Sequence, residues 1–313
     1  MGKIKPMPLT PEARIGVVAP ASPVATAEEL EQGLAMLLAE GYTVKLGQTV
    51  AVRSGFLAGD DLARCEDLER LWADPEIAAV WCLRGGYGCL RLLPKLYYNL
   101  FAKCPKPLIG FSDITALELA LWSEIKLVTF HGPVLTTLSQ SPFGAAQALR
   151  MLTGAQQPGV LPWPAEGERW LVPLRPGQAA GPLLGGNLAT LLSLLGTRFL
   201  PNFDDAVVFI EETREAPYRV DRMLTQLLLS GVWDGVAAVL VGRSLPPANA
   251  GDESELIAVF AERLAQLSCP AAYGYPIGHA GPQWTLPQGI RAAVDTATGE
   301  VQLLESPFCG HAN

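Results

Sequence analysis

The stretch PKPLIGFSDITALELALW, residues 105–122, decides how the chain is organised. A short apolar run, Leu108 to Phe111, stops at Ser112 and Asp113, and an apolar helical pattern begins at Ile114. A buried strand that runs straight into a buried helix belongs to a parallel sheet. Such strands read as unbroken apolar runs because helices cover both faces of the sheet. In open sheets of this kind, ligands and reacting groups gather at the C-terminal ends of the strands. Ser112 stands at such an end and leaves two readings open. It caps the following helix, or it is a nucleophile beside amide groups that point outward where an oxyanion would form. The sequence GFSD departs from the G-x-S-x-G elbow, so these residues alone do not decide between the two.

The flanks repeat the same alternation. RIGVVAP (14–20) predicts a buried strand, and a helix follows with Thr26 and Glu29 as a capping box, Leu30, Leu34, Leu37 and Leu38 as its apolar face and Gly41 as its stop. YTVKLG, IAAVWCL, KPLIGF and KLVTFHG predict four more strands. A second amphipathic helix carries Leu62, Cys65, Leu68, Leu71 and Trp72 on one side. Residues 155–182 differ, because six prolines and four glycines there break regular elements. A second alternating block follows. It comprises GGNLATLLSLLGT with Asn187 as an N-cap, AVVFIEE, PYRVDRMLTQLLLSG, VAAVLVGR, ESELIAVFAERLAQL and AAYGYPIGH, then a hairpin turning at Thr298–Gly299. The expected fold is α/β with two domains. Residues 1–154 form a parallel, Rossmann-like sheet carrying Ser112, 155–182 a linker or crossover, and 183–313 a C-terminal α/β domain, with the site in the cleft between them.

Composition narrows the function classes. Of 313 residues, 49% are hydrophobic and 17% charged, enough for a large core and too apolar for disorder. The net charge of −8 and the lack of any basic run argue against a nucleic-acid partner. No apolar stretch reaches bilayer length, and the proline-rich start does not read as a secretory signal, so a cytoplasmic location away from membranes is expected. Six cysteines lie at 65, 82, 89, 104, 269 and 309 without a CxxC pair, and read as reduced, buried thiols. With only His131, His279 and His311, neither a metal nor another cofactor is expected.

A nucleophilic serine needs a base, and the base needs an orienting acid. His311 lies in the terminal CGHAN, and His131 follows a strand where it either lines the cleft or serves the structure. His279, between Gly278 and Gly281, is the best candidate base; a surface-loop histidine is its alternative reading. Glu211 and Glu212 end a strand, where they are either the acid or charges favouring the next helix. Alternation along the strand predicts one facing the cleft and the other facing outward. The loop RGGYG, from Arg84 to Gly88, follows a strand and is read as opening a helix. Phosphate cradling, an oxyanion donor beside Ser112 and a simple tight turn are its open readings.

Taken together, VVAPASP, RGGYGCLRLLP, LIGFSDITAL, FHGP, GGNLATLLSLLGT, FIEETREAPYRVDRMLTQL and GYPIGHAGPQWTLPQG resemble the LD-carboxypeptidases, the muramoyl-tetrapeptide carboxypeptidases of peptidoglycan recycling. These seven motifs occur in the family's order from about residue 14 to about residue 295. The resemblance implies Ser112 as nucleophile, Glu211 as acid and His279 as base, with Glu212 accessory. It implies an oxyanion hole from the backbone N–H groups of Gly86 and Asp113, the Asp113 carboxylate serving as a helix cap or orienting group. Arg84, Gly85 and Asn187 fall in motifs near the cleft and are implied to border the substrate. Acyl transfer without metal or cofactor is implied, as is a homodimer. The implied substrate is a murein tetrapeptide, free or attached to a muramyl sugar, cut between meso-diaminopimelate and D-alanine. Two alternatives stand beside this. One is the family's microcin-C-immunity branch, which hydrolyses a peptidyl-nucleotide acyl-phosphoramidate and needs an aromatic platform for adenine. The other is a non-catalytic two-domain ligand-binding protein.

Overall fold

The computed structural model describes residues 2–165, 170–248 and 252–310. His311 lies outside the described residues.

The first half alternates as its apolar pattern dictates. Strands β1 (Arg14–Val18), β2 (Thr43–Leu46), β3 (Ile77–Cys82), β4 (Leu108–Gly110) and β5 (Phe130–His131) are joined through helices α1 (Ala27–Ala39), α2 (Asp61–Ala73), α3 (Tyr98–Lys103) and α4 (Ile114–Ile125). Helices α5 (Leu135–Leu138) and α6 (Pro142–Leu152) complete this half. The five strands are parallel, in the order β5-β4-β3-β1-β2. Because β1 lies between β3 and β2, the order reverses there, and the loops after β1 and β3 flank the crevice where such sheets receive ligands. Thr26 caps α1 by accepting from the Glu29 N–H at 3.2 Å. Leu38 and Leu62, expected on buried faces, instead point to solvent at 57% and 62% exposure. Each lies at the margin of its helix's apolar stripe, where the sheet no longer reaches.

The second half contains β6 (Gly159–Val160), β7 (Val172–Arg175), β8 (Gln178–Asn187), β9 (Val207–Glu211), β10 (Ala238–Gly242), β11 (Ala271–Tyr275), β12 (Leu286–Pro287), β13 (Arg291–Asp295) and β14 (Glu300–Leu303). Its helices are α7 (Leu188–Leu192), α8 (Pro217–Leu229) and α9 (Glu253–Leu264). Eight strands form a mixed sheet, β6-β14-β13-β8-β9-β10-β11-β7, with β8 to β11 parallel. The segment 155–182, read as irregular, contributes β6, β7 and the start of β8 to this sheet. Pro173 does not prevent pairing because β7 is an edge strand, where a missing N–H costs no ladder bond, and Pro182 is accommodated within β8 opposite Arg291 of β13.

The two halves are knitted together. Strand β12, from the C-terminal part of the chain, pairs antiparallel with β5 and completes the first sheet. Helix α4 touches β4 and β5 on one side and β8 on the other. Only Ser123 and Glu124 of its 12 residues escape full burial, which is why its sequence is apolar all round. Each leucine fully buried there stabilises the fold by roughly 1.5–3 kcal/mol. Cys65, Cys82, Cys89 and Cys269 are buried thiols, whereas Cys104 is exposed, and no cysteine among the described residues is paired. None of the described helices is long and apolar enough to cross a membrane.

Candidate active site

The strand–helix junction at Ser112 is a strained corner. Ser112 has φ of +65°, a left-handed conformation that a serine adopts only when its surroundings force it. The turn lifts the hydroxyl off the sheet edge, and Ser112 remains partly exposed. Gly85 lies so close that a Cβ there would stand 2.9 Å from Ser112 Oγ, so any side chain would displace the hydroxyl. Ser112 precedes the helix and does not cap it, and Asp113, the N-cap residue, makes no side-chain cap bond to α4. Its carboxylate instead accepts the Cys89 N–H at 2.8 Å, which ties the glycine loop to the Ser112 corner. Burial raises the Asp113 carboxyl above its ordinary range, against the pull of this hydrogen bond.

The glycine loop is held from a second side. Ser22, after β1, gives its N–H to the Gly85 carbonyl at 3.3 Å, and its hydroxyl accepts from the Tyr87 N–H at 3.1 Å. Gly86 has φ of +107°, and a side chain there would meet Ser22. The loop leads into a single 3₁₀ turn, Cys89–Arg91, and not the regular helix expected of it, because Gly88 at φ +134° breaks the path. Neither the Gly86 nor the Asp113 N–H has a protein acceptor among the described residues.

The acid and the imidazole come from the second sheet. Glu211 ends β9 and is buried, and its Oε2 lies 2.6 Å from His279 Nδ1. His279 sits in the loop after β11 and not at its end, with a side chain 26% exposed. Gly278, at φ +90°, packs against the Glu211 carboxylate, where a methyl group would collide with it. Burial raises the Glu211 carboxyl, but the His279 charge and hydrogen bond outweigh it, and the net shift is downward. Burial lowers His279, but the Glu211 charge and hydrogen bond outweigh that, and the net shift is upward. The bond leaves the other ring nitrogen of His279 free to work on a partner.

Glu212 does not face outward as alternation predicts; it is 4% exposed. It accepts from Asn187 Nδ2 at 3.2 Å, from the Ala189 N–H at 2.9 Å and from the Thr213 N–H at 2.9 Å. The N-terminus of α7 thus covers the side where solvent was expected. Burial, then the neighbouring Glu211 charge, pushes its carboxyl up to about 7. Asn187 caps α7 through Thr190 and bonds Glu212, so its side chain is committed inside the second sheet. His131 is fully buried and lines none of the cavities described here.

Ser112 and His279 line one cavity of about 140 Å³, with Arg84, Gly85 and Gly86 on its wall. Arg84 donates to the Pro23 carbonyl at 3.2 Å. A second cavity of about 180 Å³ shares Phe111, Thr137 and His279 with the first and is walled by the uncharged polar residues Gln140, Ser141 and Gln283. A third, of about 260 Å³, lies against the same loop and holds Trp170, with the Arg243 guanidinium 4.5 Å from that ring. Among the described residues no cluster of three His, Cys, Asp or Glu side chains could hold a metal ion. A hydroxyl raised on a strained turn, a carboxylate-bound imidazole and the Gly86 loop around one cavity, with the Asp113 amide next to Ser112, suit acyl transfer.

Comparison with known proteins agrees. Residues 15–132 match the model of the LD-carboxypeptidase N-terminal domain, and residues 180–294 that of the C-terminal domain. The murein tetrapeptide carboxypeptidase of Pseudomonas aeruginosa is 35% identical over 91% of this chain and 94% of its own. The muramoyltetrapeptide carboxypeptidase of Oxalobacter formigenes superposes with a TM-score of 0.77 at 30% identity, over 93% of this chain and 98% of the other. The microcin C7 self-immunity protein of Escherichia coli is 27% identical over 88% of this chain and 87% of its own. The match to both domain models sets aside a pure binding module. The chain belongs to the LD-carboxypeptidase family and is a carboxypeptidase.

Proposed function

We infer that this carboxypeptidase is a serine LD-carboxypeptidase that releases D-alanine from murein tetrapeptides, cutting after meso-diaminopimelate, in cytoplasmic cell-wall recycling. The observation that carries this reading is the 2.6 Å Glu211–His279 contact across one cavity from the strained Ser112. In the proposed mechanism, Glu211 holds His279 with its proton on Nδ1, leaving Nε2 as the base. His279 takes the Ser112 proton as Oγ bonds to the substrate carbonyl carbon. The Gly86 and Asp113 N–H groups receive the oxyanion. As the C–N bond breaks, His279 returns the proton to the leaving amine of D-alanine. Water, activated by the same imidazole, then frees the acyl group from Ser112.

The test is D-alanine release from a muramoyl tetrapeptide ending in diaminopimelyl-D-alanine, with a chelator present. The wild type should release it, and Ser112→Ala should lose roughly three to six orders of magnitude in kcat. A purified, folded wild type that releases nothing would overturn the reading. A second reading has one observation in its favour. Trp170 supplies an aromatic surface in the cavity beside the His279 loop, where a nucleobase could stack. The Arg243 guanidinium occupies one face of that ring and leaves at most the other. Hydrolysis of a peptidyl-nucleotide acyl-phosphoramidate in preference to the tetrapeptide would favour it.

A further inference from the structure

The serine and its partners come from different sheets, so something must fix one against the other. Three buried polar side chains outside the cavity do not enter the mechanism: Glu118, His131 and Gln288, each 0% exposed. Glu118 lies on α4, the helix that starts two residues after Ser112. His131 ends β5 and pairs with Gly110, two residues before Ser112. Its ring stands between the two functional strand ends. One edge meets Phe111, which precedes Ser112, at 6.1 Å between centroids. The other meets Phe209, two residues before Glu211, at 5.1 Å. Phe111 in turn lies 4.6 Å from the His279 ring.

Gln288 spans the same seam. Its backbone N–H bonds the Thr129 carbonyl of the first half at 2.8 Å. Its side-chain amide grips Gly185 of β8 from both sides, accepting the Gly185 N–H at 3.1 Å and donating to the Gly185 carbonyl at 2.8 Å. The same Nε2 lies 3.4 Å from Glu118 Oε2, and that oxygen lies 3.6 Å from His131 Nδ1. Neither ring nitrogen of His131 nor Glu118 Oε1 has a hydrogen-bond partner among the described residues. Buried polar groups without protein partners are costly, and apolar side chains of the same volume would fill this seam at less expense in stability.

We propose that Glu118, His131 and Gln288 are positioning residues that set the Ser112 corner against the Glu211–His279 pair across the seam between the two sheets. The Glu118 side chain, packed beside Nδ1, holds the imidazole in the wedge between Phe111 and Phe209, and Gln288 ties α4 to β8. The inference rests on the serine reading above. A displacement near 1 Å at this seam would move Oγ relative to the imidazole while leaving Glu211 and His279, both carried by the second half, paired.

The test separates these two geometries. Ser112 activation is read as its phosphonylation rate by a fluorophosphonate, in which Oγ gives its proton to His279 and bonds to phosphorus as fluoride leaves, alongside kcat and KM for D-alanine release. The Glu211–His279 pair is read independently as its downfield proton resonance. In His131→Ala and Glu118→Leu, phosphonylation and kcat should fall about ten- to a hundredfold with KM changed less than about threefold and the resonance retained. His131→Phe, which restores the ring wedge, should recover most of the His131→Ala loss. Glu118→Gln keeps the volume and guards against loss of folding in the truncations; it should slow phosphonylation about three- to tenfold. Rates within twofold of wild type in all variants would overturn the proposal, as would loss of the resonance in step with the rates. A wild type that the fluorophosphonate does not label would overturn the serine reading, and this inference with it.

Discussion

The ends of β4 and β9 supply the site in opposite ways. After β4, Ser112 is strained, partly exposed and without a hydrogen-bond partner for its hydroxyl among the described residues. After β9, Glu211 and Glu212 are buried and held by neighbours. In the mechanism proposed above, the difference follows from what each group does. A hydroxyl that has to attack is useful only where a substrate can reach it. A carboxylate that has to orient an imidazole is strongest where water cannot compete. The two glutamates sharpen the point, because one residue of separation gives them opposite fates. Glu211 meets His279 and stays ionised, whereas Glu212 meets only neutral donors and the Glu211 charge, and holds its proton up to about 7.

The contrast can be broken most severely at Glu211. Glu211→Gln should lower kcat about three to four orders of magnitude, since an amide offers no charge and can present the wrong tautomer partner to His279. It should also move the acid limb of kcat/KM. In the wild type that limb should lie above the ordinary imidazole value, because Glu211 outweighs burial and His279 must be neutral to act. Without the carboxylate the limb should shift to lower pH, and a kcat/KM profile of both proteins checks the direction.

Gly278→Ala comes next. The added methyl collides with the Glu211 carboxylate, and φ of +90° disfavours alanine. A fall in kcat of about a hundredfold is expected, with the downfield His279 resonance lost or shifted. Asp113→Ala attacks the other strand end by releasing the Cys89 N–H, at a cost of about 1–3 kcal/mol in denaturant unfolding and about tenfold in kcat/KM as the glycine loop loosens. The smallest effect is at Glu212. Between the ordinary carboxylate value of 4.5 and about 7, the folded chain keeps a proton that the unfolded chain releases. Stability therefore falls as pH rises through that window. Glu212→Gln should flatten the slope of Tm between pH 5 and pH 8, and an unchanged slope would place the titration elsewhere.

Much of this was legible along the chain. Apolar runs in β1, β3 and β4 announced a parallel sheet because burial on both faces removes alternation. Strand ends and family motifs singled out Ser112, Glu211 and His279, and the structure pairs Glu211 with His279 and places His279 on one cavity with Ser112. Residues 155–182, expected to be irregular, supply β6, β7 and the start of β8, because proline content records which N–H groups are missing, and not whether the pairing at that position needs them. The outward reading of Glu212 failed because alternation gives the side of a strand, while the helix α7 that covers that side is set by tertiary packing.

By itself the sequence determined the α/β class, the order of the strands and helices within each half, and the residue types available for chemistry. These follow from local backbone preference and the period of burial. The tertiary structure alone decided that Glu211 meets His279 from 68 positions away, that Asp113 reaches back to Cys89 and that His131 is a buried wedge. Those pairings depend on how two sheets close around α4. No local pattern encodes that closure, because it is set by the packing of side chains distant in the chain and close in space.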